Sequence, residues 1–308
     1  MRNFQNFELK KHQIPSNPEL FCILWTVSQN KLYTYYFTYY YTKMLSSVVQ
    51  IDLQTEGILN SNFIGNIFRG WLGFVLKCDP QTSCSGCDEH LKCPYFMVFK
   101  ENNPIKPYSV LAFKDKSNIR CFIKIYGDRR KFVPQILSDI ESNKSKTHFG
   151  GLKYKIESIK AKNIEFKDLE LGDKTKIVTT SPLHIIRNNR FEVIPSLNTI
   201  LRSCVRAYNR VTKFYDSDNY PYHVPEGTMD FDTEILDFDV CTVEYDHINM
   251  YKKCINLKGI EGWIEYDTSN IPKESGYILG MGEALQIGKR TAYGLGGFMT
   301  VGKVENNE

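Results

Sequence analysis

The sequence predicts an α+β fold built from two tandem ferredoxin-like domains, each with the element order βαββαβ. Short runs of alternating apolar residues predict strands, longer runs with apolar residues three or four positions apart predict helices, and the order of these runs occurs twice. Of the 308 residues, 42% are hydrophobic and 24% are charged, a balance typical of globular proteins that bury a core without metals or disulfides.

The first ferredoxin-like domain is expected at residues 44–160. Val48 to Leu53 alternate in hydrophobicity and predict its first strand, and apolar residues at helical spacing across 61–77 predict the following helix. The rest of the domain is predicted as three short strands, a helix and a last strand, at 95–100, 108–113, 119–126, 130–140 and 152–159.

The second domain is expected at residues 175–308, after a polar linker at 161–174. Its predicted elements are a strand, the longest helix of the chain, two strands, a helix and a closing strand, at 176–180, 194–215, 236–245, 255–266, 273–286 and 298–301. The two halves share this pattern without a residue-level repeat.

Residues 1–43 are interpreted as an N-terminal extension. Tyr33 to Tyr41 holds seven aromatic residues in nine positions, and three interpretations stay open: a strand that stacks on RNA, an added edge strand, or sequence upstream of a start at Met44. Residues 1–11 are charged and lack the apolar core of a signal peptide, and polar residues interrupt the apolar stretch at 20–41. We therefore expect a cytoplasmic protein without a membrane span.

The charges are unevenly distributed along a chain whose net charge is only +4. Lys114 to Lys176 holds 16 basic against 9 acidic residues, whereas Glu226 to Asp246 holds eight acidic residues and no basic one. This asymmetry is consistent with a polyanionic partner, and a solvated surface with a flexible acidic connection is the explanation that charge alone favours.

Four closely spaced cysteines make up a possible metal site: Cys78, Cys84, Cys87 and Cys93, in a C-x5-C-x2-C-x5-C arrangement. Four thiolates complete the tetrahedral shell that Zn²⁺ prefers, and such a closed site would be structural rather than catalytic. Free thiols and an iron–sulfur cluster are the alternatives.

A glycine-rich segment lies between the last predicted helix and the closing strand, with the sequence GEALQIGKRTAYGLGG at 282–297. Glycines allow backbone amides to approach an anion closely, and Lys289 and Arg290 add positive charge. The spacing matches neither a Walker loop nor a dinucleotide fingerprint. Structural turns alone are the competing explanation.

This segment resembles the glycine-rich signature of the RAMP superfamily, RNA-binding CRISPR-associated proteins. The resemblance is carried by IGKRTAYGLGGF after LKGIEGWIEY, and by NIFRGWLGFVLK, CPYFMVFKENNPIKPY and SPLHIIRNNRFEVIPSLNTILRSCVRAYNRVTKFY in order. Over residues 48–303 the chain is similar to the CRISPR-associated precursor-RNA-processing endoribonucleases, the sixth-numbered Cas family, in the branch with a cysteine-bearing insertion, here at 78–93.

The resemblance implies tandem ferredoxin-like (RRM-like) domains and a metal-independent endoribonuclease that cleaves CRISPR repeat RNA to release guide RNAs. It implies attack by the 2′-hydroxyl of the RNA, which gives a 2′,3′-cyclic phosphate. No catalytic cofactor is expected, and Zn²⁺ would serve only structure. The positions carried over as RNA-binding are Gly288, Lys289, Arg290, Thr291, Gly294 and Gly296, together with Arg69 on the first helix.

The catalytic base departs from the family pattern, because the family places a histidine in or just before the first helix and residues 60–77 contain none. His148, ahead of a flexible Phe-Gly-Gly turn, is the first candidate, and an exposed loop histidine is the competing explanation. His247 follows an acidic run and is the less suitable candidate.

Two other functions stay open on the sequence. A non-catalytic RAMP subunit would bind guide RNA beside other Cas effector subunits, and a zinc-stabilised scaffold would have lost RNA affinity. Salt-dependent RNA binding separates the scaffold from the other two.

Overall fold

The computed structural model describes residues 46–78, 84–101, 103–145, 147–216, 229, 231, 233–248 and 252–302. The predictions for the N-terminal extension at 1–43, including its aromatic segment, lie outside these residues. Within them, no helix combines the length and the apolar character needed to cross a membrane.

The N-terminal domain contains all six predicted elements of a βαββαβ unit. They are β1 (Ser46–Thr55), α1 (Gly65–Val75), β2 (Tyr108–Asp115), β3 (Asn118–Tyr126), α2 (Val133–Asn143) and β4 (Tyr154–Ile164). The four strands form one antiparallel sheet in the order β2-β3-β1-β4, which is the ferredoxin-like order. The predicted fold of this half is confirmed.

The core of this domain lies between the sheet and its two helices. Val49 and Ile51 of β1 are fully buried and pair with Ile123 and Cys121 of β3, so one face of the sheet is continuous and apolar. Helix α1 packs on that face through residues such as Phe68, at the three- and four-residue spacing that predicted the helix.

One sequence prediction in this domain is wrong, since the run at 95–100 is a π-helix (Tyr95–Lys100) and not a strand. The run YFMVFK is almost wholly apolar, so its hydrophobicity does not distinguish a period of two from a helical period. Pro94 precedes the first helical residue, where a missing N–H costs least, and the buried residues Tyr95, Val98 and Phe99 have helical spacing.

The C-terminal domain repeats the same architecture around a longer helix. Its elements are β5 (Lys174–Thr179), β6 (Ile186–Arg187), β7 (Arg190–Phe191), α3 (Leu197–Tyr215), β8 (Ile235–Ile248), β9 (Cys254–Asp267), α4 (Glu274–Leu285) and β10 (Phe298–Val301). The main sheet is antiparallel in the order β10-β5-β9-β8, and β6 and β7 form a small separate hairpin. The side chain of Ser196 caps α3 by accepting from Thr199 N at 3.3 Å.

A buried polar contact joins the two domains next to the glycine-rich segment. Gln286, 1% exposed, donates through Nε2 to Val110 O at 3.2 Å and Leu295 O at 2.9 Å, and accepts from Ser109 Oγ. Tyr126 adds a bond from its hydroxyl to the backbone of α4. These contacts fix the end of α4, and the loop that follows it, against β2 and β3.

Candidate functional site

Backbone hydrogen bonds close the glycine-rich loop at 287–297 and attach it to residues 182–184. Lys289 N donates to His184 O at 2.9 Å, Gly296 N donates to Pro182 O at 2.8 Å, and Ile287 N donates to Gly296 O at 2.9 Å. A Cβ at Gly288 would come 2.2 Å from His184 O, and one at Gly296 would come 2.0 Å from Ile287 O. Close backbone packing therefore explains these two glycines, and the amides of 289 and 296 are already engaged.

The charged part of the loop faces solvent. Lys289 and Arg290 are exposed, and Arg290 donates from Nη1 to the backbone oxygen of Asn256. Thr291 begins a short 3-10 turn (Thr291–Tyr293) that ends at Gly294, whose φ of 102° and contact with Gly65 bring the loop against α1. The loop therefore presents side-chain cations beside the first helix of the other domain.

Four side chains from three elements meet at this junction. Asn66 and Arg69 come from α1, His247 from β8, and Tyr293 from the loop. Asn66 Nδ2 lies 3.4 Å from His247 Nδ1, the Arg69 guanidinium lies 4.3 Å from the centroid of the Tyr293 ring, and the rings of His247 and Tyr293 are 5.4 Å apart. We call these four residues the junction cluster.

The protonation state of His247 follows from its neighbours. Asn66 Oδ1 accepts from Ile67 N at 2.8 Å, which orients the amide so that Nδ2 faces the histidine. Because an amide nitrogen only donates, Nδ1 accepts and the neutral ring carries its proton on Nε2. Burial, and then the positive charge of Arg69, lowers the His247 pKa below its usual value of 6.5. His247 is therefore neutral at pH 7.

Arg69 also borders a second group of polar side chains. Among the described residues, Arg69 Nε and the hydroxyl of the fully buried Tyr108 have no hydrogen-bond partner of ordinary geometry. Lys106 lies within electrostatic reach of Arg69, and its pKa is lowered by burial and then by that charge. Two neighbouring cations with an unused buried donor suit an anion such as a phosphate.

An apolar cluster holds the β8–β9 hairpin against α1. Phe63, just ahead of α1, stacks on Tyr245 with 5.0 Å between ring centroids, and Leu257 and Leu295 are fully buried around it. Tyr245 and His247 are two residues apart on one strand, so they share a face. The packing of Tyr245 therefore places His247 beside Asn66.

His148, the histidine favoured by the sequence, lies elsewhere. It is exposed in the loop between α2 and β4, next to Phe149, which is buried in the N-terminal core. None of the contacts among the described residues joins His148 to the junction cluster, and its catalytic role stays a prediction. His247 ranked lower in the sequence analysis because an acidic run precedes it along the chain. Its position beside α1 depends on tertiary packing, which the local sequence does not indicate.

The cysteine segment is adjacent to the N-terminal core. Cys84 and Cys93 are partly buried against it, whereas Cys78 is exposed, and the Cys93 pKa is raised by burial and then by Cys78 and Cys84. In the part of the chain that the structure describes, which includes Cys87, no three His, Cys, Asp or Glu side chains are placed to hold a metal ion. The arrangement does not fit a preformed zinc shell, and structural zinc stays a prediction.

Comparisons with known proteins point to one family. Residues 177–298 match the family model described as CRISPR-associated endoribonuclease Cas6. A Cas6 from Thermus thermophilus has the same fold, with a TM-score of 0.56 and 12% identity over 84% of this chain and 99% of that chain. A product complex of that Cas6 gives a TM-score of 0.58 and 17% identity over the same shares. No curated protein matches the sequence.

A third structure contains a similar fold within a larger assembly. A partial Cas6-RT-Cas1–Cas2 complex gives a TM-score of 0.54 and 11% identity over 85% of this chain and 47% of that chain. The tandem ferredoxin-like fold with a glycine-rich loop ahead of its last strand defines the RAMP class that the sequence resembles. Residues 177–298 are thus similar to the Cas6 family model, and the chain shares the fold of Cas6 structures. The cysteine-insertion branch stays a prediction.

Proposed function

We propose that this protein is an endoribonuclease that cleaves CRISPR repeat RNA to release guide RNAs, in the cytoplasm and without a catalytic metal. The observation that carries the proposal is the junction cluster, in which neutral His247 and cationic Arg69 meet beside the exposed cations of the glycine-rich loop. The Cas6 family match over residues 177–298 supports RNA processing as the activity.

The proposed reaction needs a proton transfer at each end of the scissile phosphate. The 2′-hydroxyl gives its proton to water as its oxygen bonds to phosphorus, the bond from phosphorus to the 5′-oxygen breaks, and that oxygen takes a proton from the protonated form of His247. The products are a 2′,3′-cyclic phosphate and a 5′-hydroxyl. Neutral His247 can donate a hydrogen bond from Nε2–H to the phosphate, whereas its protonated ring is the acid for the departing oxygen and is left neutral. Arg69 stabilises the charge that develops on the phosphate.

RNA binding is assigned to the residues that line the same region. Arg69, Lys289 and Arg290 would contact phosphates through their side chains. The loop would be held close to the backbone segments around it by its glycines Gly288, Gly294 and Gly296. This packing would present Thr291 and the two loop cations to the RNA.

The test is a cleavage assay with end-labelled repeat RNA in EDTA. We expect one site-specific cut that leaves a cyclic phosphate, and no cut when the nucleotide at that site lacks its 2′-hydroxyl. If His247 is the functional histidine, the His148→Ala variant should cleave the RNA at the same rate as the parent protein. Cleavage that needs a divalent metal, or that survives loss of the 2′-hydroxyl, contradicts the mechanism.

One observation favours a second candidate, a non-catalytic subunit that binds guide RNA in a CRISPR effector complex. Helix α1 carries no histidine, although the family resemblance expects one there. The similar fold found in a Cas6-RT-Cas1–Cas2 complex supports other Cas proteins as partners. Tight RNA binding without any cleavage, together with copurifying Cas subunits, would favour this candidate.

A further inference from the structure

Each of the two main sheets ends in a long strand with a free edge. Strand β4 has 11 residues and is the last strand of the N-terminal sheet, and β8 has 14 residues and is the last strand of the C-terminal sheet. Among the described residues, β4 pairs only with β1 and β8 pairs only with β9. A free edge offers a row of N–H and C=O groups to which another strand can be added.

The two free edges carry charges of opposite sign at the same spacing. Lys160 and Lys162 are exposed on β4, and Asp237 and Asp239 are exposed on β8. The members of each pair are two residues apart, so both side chains of a pair lie on one face of their sheet. Within the part of the chain that the structure describes, none of these four side chains forms an ion pair.

The residue between each pair of charges is apolar and lies on the opposite face of the sheet. Ala161 pairs with the fully buried Val49 of β1, and Phe238 pairs with Ile264 of β9, which is 3% exposed. Ala161 is nevertheless exposed and Phe238 is 48% exposed, because both belong to edge strands. The free edges thus leave a large and a small apolar side chain uncovered on the faces that the helices pack against.

Antiparallel pairing of β8 with β4 of a second copy brings these features together in one register. The four cross-strand pairs of that register are Asp237 with Lys162, Phe238 with Ala161, Asp239 with Lys160, and Val240 with Ile159. Opposite charges then meet on one face of the joined sheet, and apolar side chains meet on the other. Cross-strand pairs of both kinds are favourable.

Charged residues on an edge strand often serve to prevent pairing, and here they do so for like edges. Two β8 strands centred on their apolar residue would place Asp237 opposite Asp239. Two β4 strands would place Lys160 opposite Lys162, and like charges directly opposite each other are unfavourable. Protection against every pairing would need one sign on both edges, so the opposite signs leave β4 with β8 as the favoured contact.

We propose that this protein associates with a second copy of itself, through antiparallel pairing of β4 of one copy with β8 of the other. A second copy is the partner that fits, because each chain carries both the basic edge and its acidic complement. The contact joins two different surfaces, and a pair of copies can form it twice. The inference is independent of the proposed function, since it involves neither RNA nor the cleavage chemistry.

The proposed contact lies away from the junction cluster. Val240 and His247 belong to the same strand, and at ~3.3 Å per residue they are ~23 Å apart. The pairing therefore uses a part of β8 that does not contribute to the cluster, and an assembly of two copies holds two clusters.

The test is light scattering of the full chain after size-exclusion chromatography, without RNA. The parent should have the mass of at least two chains. Lys160→Asp with Lys162→Asp should have the mass of one chain, because both free edges are then acidic. Asp237→Lys with Asp239→Lys should also have the mass of one chain, because both free edges are then basic.

Mixing these two variants distinguishes lost pairing from lost folding. In the mixture, the acidic β4 of one variant meets the basic β8 of the other, and the two unchanged edges also have opposite signs, so the parent's mass should return. The control, Lys116→Asp with Lys131→Asp, makes an equal charge change at exposed positions outside the strand edges and should associate as the parent does. A mixture that keeps the mass of one chain overturns the inference, as does a parent with that mass or an association that survives both reversals.

A cysteine cross-link tests the register. The pairing that puts Phe238 opposite Ala161 also puts the exposed Cys241 opposite Ser158. With oxidised glutathione, Ser158→Cys should therefore form disulfide-linked dimers, and Ser158→Cys with Cys241→Ser should not. Association without this cross-link would place the contact elsewhere and overturn the proposed pairing.

Discussion

Among the residues of the junction cluster, His247 has the local geometry that bears most directly on the proposed chemistry. Its strand places it beside Asn66, its tautomer follows from the orientation of that amide, and Arg69 lowers its pKa. A histidine that is neutral at pH 7 can donate a hydrogen bond from its one N–H, and it becomes a proton donor after its ring has taken up a second proton. In the proposed reaction, the positive charge of Arg69 that lowers this pKa would also bind the scissile phosphate.

The first residue-scale prediction concerns His247 itself. His247→Ala should lower the single-turnover cleavage rate by roughly 10²- to 10⁴-fold, the usual contribution of a positioned acid or base, and should leave RNA affinity close to that of the parent. His148→Ala is the matched control, because it removes an exposed histidine outside the cluster. Equal losses in the two variants would refute the assignment of His247.

The second prediction uses the pKa of His247 in the free protein. Burial and Arg69 both disfavour the charged ring, so the pKa measured by NMR titration should be below 6.5. Arg69→Gln removes the nearby positive charge and retains most of the burial, so the pKa should rise toward 6.5. If the pKa is unchanged or falls in this variant, Arg69 does not act on the ring as the geometry indicates.

In helix α1, contact with the glycine-rich loop determines which residue can occupy position 65, and helix propensity matters less there. A Cβ at Gly65 would come 2.8 Å from Tyr293 O and 2.9 Å from Gly294 Cα, whereas one at Gly70 would meet nothing within 4 Å. Both glycines belong to α1, where alanine is intrinsically better than glycine. Gly65 differs from Gly70 because it contacts the glycine-rich loop.

This difference gives the element-scale prediction. Gly70→Ala should stabilise the protein by about 0.5–1 kcal/mol, because only helix propensity changes. Gly65→Ala should destabilise it and lower cleavage, because the loop must move away from α1 and Tyr293 moves with it. Urea unfolding and the single-turnover assay measure both. A stabilised and fully active Gly65→Ala protein would show that the loop does not depend on this contact.

The elements were largely predictable from the sequence, and Arg69 was a candidate site residue, but its grouping with His247, Asn66 and Tyr293 was not predicted. Alternation predicted β1 and the closing strand β10, and helical spacing predicted α1 and α3, because each buries one face whose period appears in the residues. The run at 95–100 was predicted wrongly because an all-apolar segment carries no period. The junction cluster escaped prediction because His247 and Asn66 are 181 residues apart and meet only through packing between domains.

At the scale of the whole molecule, the junction cluster exists only while the two ferredoxin-like domains keep their relative position. Asn66 and Arg69 belong to one domain, and His247 and Tyr293 belong to the other. Gln286 is the buried polar residue nearest in sequence to the loop that joins them, and it bonds Val110 of the first domain and Leu295 of the second. Loss of this contact should therefore lower both the stability of the protein and its cleavage activity.

Gln286→Ala tests that coupling. The substitution leaves Val110 O, Leu295 O and Ser109 Oγ buried with fewer partners, at a cost on the order of 2–4 kcal/mol, since each unsatisfied buried group is expensive. Cleavage should fall even at temperatures where the protein remains folded, because the loop and α1 are no longer held at a fixed separation. Gln135→Ala is the control, because the exposed side chain of Gln135 bonds to Asp139 of the same helix and its loss should change neither quantity. A destabilised variant with parent-like cleavage would mean that the domain register is set by the apolar packing of Phe63 and Tyr245 alone.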